Sequence, residues 1–331
     1  GAPAPHSRFF TIMYNYQGNY GAMPAPNNVD RYGLEASKFR GMGSTVVKPP
    51  AVQWFRRRLN VVAMCVCLFV PWLLFCFTSW SISFILHFWC PGVTYVLAFL
   101  GASFVLYLGS LAWKAWKAER TGDPFYEPTW YIFLFLTALL AWIMAVYIGS
   151  NNFYYHMNAF YGISNMRAYK GVNPTLAHGQ QLMDAGLIQF TPGSHIDFDR
   201  AMSFQNKETY CVAPIVQANS SLHGPPASYD FWAVGINCCC SDAVRASNFQ
   251  CGEYDNPKAN GVVRLMHDEH RDFYRLAVQQ AVGSFAIKAE HPLFFHWVSE
   301  PAAVLEAYRW EGHRQFLLWM YLHFLLQIIL V

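Results

Sequence analysis

Long stretches without a single charge limit what this chain can fold into. Residues 61–79, VVAMCVCLFVPWLLFCFTS, carry none, and neither do residues 93–113 or 129–149. The first run continues as WSISFILHFW to Cys90-Pro91-Gly92, a strong helix stop. A fourth run, QFLLWMYLHFLLQIILV, covers residues 315–331. About 20 apolar residues cross a bilayer as a helix. A soluble core helix would keep one polar face, and these runs are apolar all round. Only 13% of the 331 residues are charged, against roughly 25% in soluble domains. The expected fold is therefore an α-helical integral membrane protein with four transmembrane helices, near 60–88, 92–113, 129–149 and 314–331. Residues 151–313 form a mixed α+β, cysteine-rich outer domain between spans three and four. Residues 1–58, rich in Gly, Pro, Asn and Tyr, read as an extended arm that orders against a partner.

Lys and Arg beside the spans set the orientation. Residues 1–60 carry eight, including Arg56-Arg57-Arg58 just before span one. The link near Cys90 carries none, and the next link carries Lys114, Lys117 and Arg120. The N-terminus and the Lys114 link are expected on the cytoplasmic, stromal or matrix side. The Cys90 link and the large domain are expected on the outer or luminal side. The charge rule assigns a side and not a membrane. The expected partners are the lipid bilayer and other membrane protein subunits, with no nucleic acid.

Cys65, Cys67 and Cys76 lie within span one and read as small apolar residues. Cys90, Cys211, Cys238, Cys239, Cys240 and Cys251 lie on the outer side, where disulfides are the default. Spacing leaves many pairings open. At least two of the three adjacent cysteines are expected to reach distant partners, with Cys211 and Cys251 favoured because they flank the same strand-rich region. Alternation along a strand would put Cys238 and Cys240 on one face. Cys239 would then be buried or reach Cys90. Free buried thiols and a metal site stay open, although a zinc site usually carries CxxC spacing and none occurs here. Asn219-Ser220-Ser221 is a glycosylation sequon in a turn-rich stretch.

Four spans with a large loop before the last, carrying adjacent cysteines, resemble the tetraspanin layout. The likeness is one of topology, since tetraspanin Cys-Cys-Gly is Cys-Cys-Cys-Ser here and this loop is much longer. Residues 229–298 contain FWAVGINCCCSD, CGEYDNPKA and, after a helical stretch, HPLFFHWV. These elements in this order resemble a group of uncharacterised multi-pass membrane proteins abundant in dinoflagellates. That resemblance implies ancestry and brings no activity.

The stretch LMHDEHRDFYRL is the obvious place to seek catalysis. His267 and His270 are three apart and are weak metal candidates, because HExxH and HxxEH both fail. A helix over 262–282 would align Val262, Leu265, Met266, Phe273, Leu276 and Ala277 in one apolar stripe. Glu269 falls within it, so it is expected to be mostly buried and bonded to a basic or polar group, a structural ion pair with an arginine of the domain being the favoured form. Asp197 and Asp199 could hold a cation. No Gly-rich phosphate loop, GxSxG elbow or nucleotide fingerprint occurs. The spans hold few polar side chains, namely His87, His323 and Gln327. That argues against an ion-coupled pump. His87 or His323 could ligate chlorophyll or haem, or hydrogen-bond a neighbouring helix.

The reading that follows is a non-catalytic structural or assembly subunit of a larger membrane complex. The alternatives are a pigment- or cofactor-binding subunit of an energy-converting complex, and an outer-side metal-dependent enzyme using His267, Glu269 and His270.

Overall fold

The computed structural model describes residues 61–120, 128–218, 226–240, 248–266 and 268–331. The N-terminal arm, the Asn219 sequon, His267 and the side chain of Cys240 lie outside the described residues.

Three helices are long and apolar enough to cross a membrane. The first, α1 (Val61–Ser83), is shorter than the uncharged run that contains it. It ends where Ser81 and Ser83 turn their hydroxyls to the carbonyls of Thr78 and Gly149, bonds that compete with the helix ladder. Phe84 is extended, and one separate turn, α2 (Ile85–Trp89), follows. Pro91 then opens α3 (Pro91–Arg120), which runs past the expected end at residue 113. Proline at a first helical position loses nothing, since that N–H has no partner inside the helix. Lys117 and Arg120 stand in its last turn, with the Arg120 guanidinium 3.9 Å from the centre of the Trp116 ring.

The third apolar helix, α4 (Thr129–Asn152), does not stop at the expected end, residue 149. It passes through a π-helical turn, Phe153–Met157, into α5 (Asn158–Ser164). Together they make one rod of 36 residues. Ala138, Ala141, Ala145 and Gly149 form its buried seam against α1. Small residues at such a seam let two backbones approach closely. Gly101 and Gly109 of α3 do the same, facing Trp142 and Phe135 of α4.

The domain between α4 and the last helix is built on an eight-stranded sheet. Its strands are β1 (Arg167–Val172), β2 (Ala185–Phe190), β3 (Ser194–Ile196), β4 (Met202–Asn206), β5 (Glu208–Gln217), β6 (Phe231–Ile236), β9 (Gly261–Arg264) and β10 (Leu293–Val298). A separate two-stranded ribbon pairs β7 (Cys239–Cys240) with β8 (Asn248–Phe249). The main order is β1-β2-β9-β10-β6-β5-β3, with β4 on β5. The pairings β1–β2 and β6–β10 are parallel, the rest antiparallel. Period-2 alternation divides the core. Cys211, Ala213, Phe231, Ala233, Phe295 and Trp297 fill one face. Tyr210, Val212, Trp232, Val234 and Phe294 fill the other.

The second face is covered by α6 (Asp268–Phe285), through Tyr274, Ala277, Val278 and Ala281. This corrects the expected helix over 262–282. Residues 261–264 are a buried strand, where two β-branched valines pair with β2 and β10. The segment before Ser194 holds β1 and β2.

The last helix, α7 (Pro301–Leu330), starts in the outer domain and ends in the bundle. It runs antiparallel to α1. Phe84 packs on His313 and Phe316, Trp72 donates to the Met320 carbonyl at 3.3 Å, and Phe75 stacks on His323. Above the bundle, α5 and α7 carry the sheet: Ala159 and Ile163 meet Val263 and Val298, with Val304, Leu305 and Tyr308 against them. The domain therefore sits on continuations of two bundle helices.

Candidate functional site

The cysteine triplet sits where β6 ends. Asn237 follows β6 in the left-handed region, φ 55°. Its backbone N–H donates to the Thr209 carbonyl at 2.8 Å, and its side-chain oxygen accepts from Thr209 N–H at 2.9 Å. Asparagine tolerates this conformation better than most residues. The turn swings the chain so that both Cys238 and Cys239 reach back over the sheet. Cys211 of β5 is bonded to Cys239, and Cys238 to Cys251, with Cα–Cα separations of 5.9 and 5.2 Å. Strand alternation therefore misassigned the pair, because Cys238 precedes the strand that Cys239 begins. Cys90 remains free and exposed at the junction of α2 and α3, and is not a partner of the triplet.

The two bonds lie against each other. The sulfurs of Cys211, Cys238 and Cys251 are all within 4.8 Å of one another. Gly235 makes the space. A Cβ there would stand 2.6 Å from both the Cβ and the Sγ of Cys251 and would overlap the Cys238 sulfur. Cys211 and Cys251 are buried. Gln250 N–H closes the clasp onto the Cys238 carbonyl at 2.8 Å.

Around this clasp, the acids of the outer domain hold loops together. Asp230, 2% exposed, accepts from the Ser228 hydroxyl and from the N–H groups of Gly179, Glu290 and His291. Three separate segments converge on that one carboxylate. Glu253 accepts from the backbone and hydroxyl of Ser299 and from Asn256, and these bonds lower its pKa. Asp197, weighed as a cation ligand, caps the turn Phe198–Arg200 and pairs with Arg200. Neither Asp230 nor Glu253 stood out in the sequence. Their one signal is position, beside the turn residues of SYD and CGEYDNP.

Glu269 corrects the expected burial and the favoured ion pair, while the polar partner that was also expected is present. It is exposed, and its partner is the Tyr154 hydroxyl, which donates at 2.6 Å. The bond to Glu269 raises the Tyr154 pKa. Tyr154 belongs to the π-helical turn, so this contact ties α6 to the rod of α4 and α5. Because the helix begins at Asp268, Glu269 lies in its first turn, where an acid suits the helix dipole. His270 is half-buried, with Nδ1 3.3 Å from the Tyr210 hydroxyl. Arg264, at the end of β9, is a buried cation. It lies over the Phe295 ring at 5.4 Å, and burial lowers its pKa to about 10.

Within the bundle, His323 and Gln327 occupy successive turns of α7 and are almost wholly enclosed, at 1% and 0% exposure. His323 stacks flat on Phe75, centroids 4.4 Å apart, and both its ring nitrogens are enclosed. Neither nitrogen has a hydrogen-bond partner among the described residues, so the expected bond to a neighbouring helix is not formed, and the ring packs in the seam between α1 and α7. His87 is half-buried, with Tyr95 and Phe153 edge-on to its ring.

No family model, curated protein or solved structure matches this chain. The structure brings Cys211, Cys238, Cys239 and Cys251 together. His87 and His323 stand apart from them, in the helical bundle.

Proposed function

We propose that this chain is a four-span structural or assembly subunit of a larger membrane complex, kin to the dinoflagellate proteins that share its FWAVG, CG-DNP and HPLFF elements. The observation that carries the reading is the seating of the outer domain. Its sheet is packed on the outer ends of α5 and α7 by Ala159, Ile163, Val263 and Val298. The domain is thus held at a set position relative to the bundle. A mount of this kind suits presentation of a surface to neighbouring subunits.

The disposition of polar groups favours the same reading. Asp230, Glu253, Asp197 and Glu269 are engaged in internal contacts that fasten loops and helices. The fourth crossing is the second half of α7, from about His313 onward, lying antiparallel to α1. With the Lys114, Lys117 and Arg120 end of α3 on the cytoplasmic, stromal or matrix side, the sheet domain stands on the outer or luminal side. That side is oxidising in the secretory reading, in keeping with the two disulfides. The bilayer and other membrane subunits are the partners, with no catalytic or cofactor role for this chain.

Affinity purification of the full chain in a mild detergent tests this. The expected result is a particle containing other membrane proteins in fixed ratio. Recovery of the chain alone, across several mild detergents and from fresh membranes, would contradict it.

A further inference from the structure

The clasp holds two disulfides as one four-sulfur cluster. Cys211 and Cys239 share one bond, Cys238 and Cys251 the other, and the Cys211, Cys238 and Cys251 sulfurs lie within 4.8 Å of one another. Zinc bound by four thiolates has Zn–S bonds of about 2.3 Å, which places tetrahedral sulfurs roughly 4 Å apart. Three of the sulfurs lie near that spacing; Cys239 stands outside this group, bonded to Cys211, and has to part from it on reduction to complete the four. The chain supports come from three directions. Cys211 projects from β5, Cys238 and Cys239 from the Asn237 turn, and Cys251 from the segment after β8. Gly235 leaves room on the sheet side.

We propose that, when both disulfides are reduced, Cys211, Cys238, Cys239 and Cys251 form a binding site for one soft divalent cation of the zinc class. The chemistry balances through a dithiol or phosphine reductant. Each disulfide accepts two electrons and two protons, so the pair yields four thiols and the reductant is oxidised correspondingly. The entering cation displaces the four thiol protons and takes four thiolate ligands. The segments that the disulfides fasten would then be fastened by the ion. The same fold would keep its clasp on either side of an oxidising boundary. This inference rests on the cluster alone and stands or falls apart from the assembly role.

The test uses the full chain in detergent, with Cys65, Cys67, Cys76 and Cys90 changed to Ala and Cys240 to Ser. Only the four cluster cysteines remain, so no clasp residue is altered. After reduction with a phosphine under argon, thiol titration should count four per chain. Cobalt(II) should then give the visible absorption of a tetrahedral tetrathiolate, saturating at one ion per chain, and zinc should bleach it. Circular dichroism and the melting temperature read whether the fold survives. Four titrated thiols with no tetrahedral cobalt spectrum would overturn the proposal. So would a spectrum seen in the natural chain but absent from this variant, since the ion would then sit on the other cysteines. A reduced chain that unfolds and does not refold on adding zinc or cobalt would overturn it too.

Discussion

Gly235 is the residue on which the clasp depends most narrowly. A methyl group there would overlap the Cys238 sulfur and press on Cys251 from 2.6 Å. Gly235→Ala should therefore cost about 1–3 kcal/mol by overpacking alone. It should also leave cluster thiols open to alkylation before reduction. Mass mapping of alkylated, unreduced protein reads this directly, and an unchanged map with an unchanged melting temperature would refute it. Glu269 and Tyr154 make a gentler case. Their bond is exposed, so either Glu269→Ala or Tyr154→Phe should cost only about 0.5–1.5 kcal/mol. The double variant should cost little more than either single one, because both remove the same bond. Thermal melts of the three variants decide it, and fully additive losses would exclude the shared contact. The place of Glu269 was not legible in advance. Its expected burial assumed a helix starting near Val262, and moving the start to Asp268 removed Val262, Leu265 and Met266 from the stripe. The pairing of Cys238 and Cys239 was hidden for a related reason, since a single left-handed Asn237 undoes strand alternation.

At the scale of elements, the apolar runs were legible and the ends of α1, α3 and α4 were not, whereas Ser299-Glu300-Pro301 does signal the start of the helix that runs into the last apolar run. Hydrophobic content marks where α1, α3 and α4 pass through the bundle, but nothing apolar marks where a helix continues into the outer domain. The π-helical turn carries α4 onward into α5, and α7 begins at Pro301, well before its apolar half. Both extensions are held by tertiary contacts with the sheet. The head of α7 is fastened further by Glu253, which accepts from Ser299 at 3.2 and 3.1 Å. The Asn256 amide first, and then those two bonds, hold the folded-state pKa of Glu253 below its ordinary value. A lowered carboxylate pKa means stability that is present above the unfolded value, near 4.3, and lost as pH falls through the folded one. Wild type should accordingly lose its advantage over Glu253→Gln as pH drops from neutrality into that acid range. Paired melts across the range would show the gap closing. A gap that is constant, or that widens in acid, would contradict this role for the carboxylate.

For the molecule as a whole, composition placed the chain in a membrane because 54% hydrophobic residues gathered into uncharged runs leave few other folds. Composition also separated off the sheet domain between spans three and four. What it could not supply was the order of the sheet. β6 pairs with β10 across about sixty intervening residues, a contact set by packing on both faces and not by local pattern. The account rests on one arrangement: four crossings, with the sheet domain opposite the Lys114–Arg120 end of α3. Limited proteolysis of sealed vesicles, outer side exposed, tests it most directly, with fragments identified by mass. The predicted result is cleavage confined to the domain between α4 and α7, while the link after Arg120 stays intact until the vesicles are opened. Cleavage of both regions from the same side of sealed vesicles would contradict the arrangement.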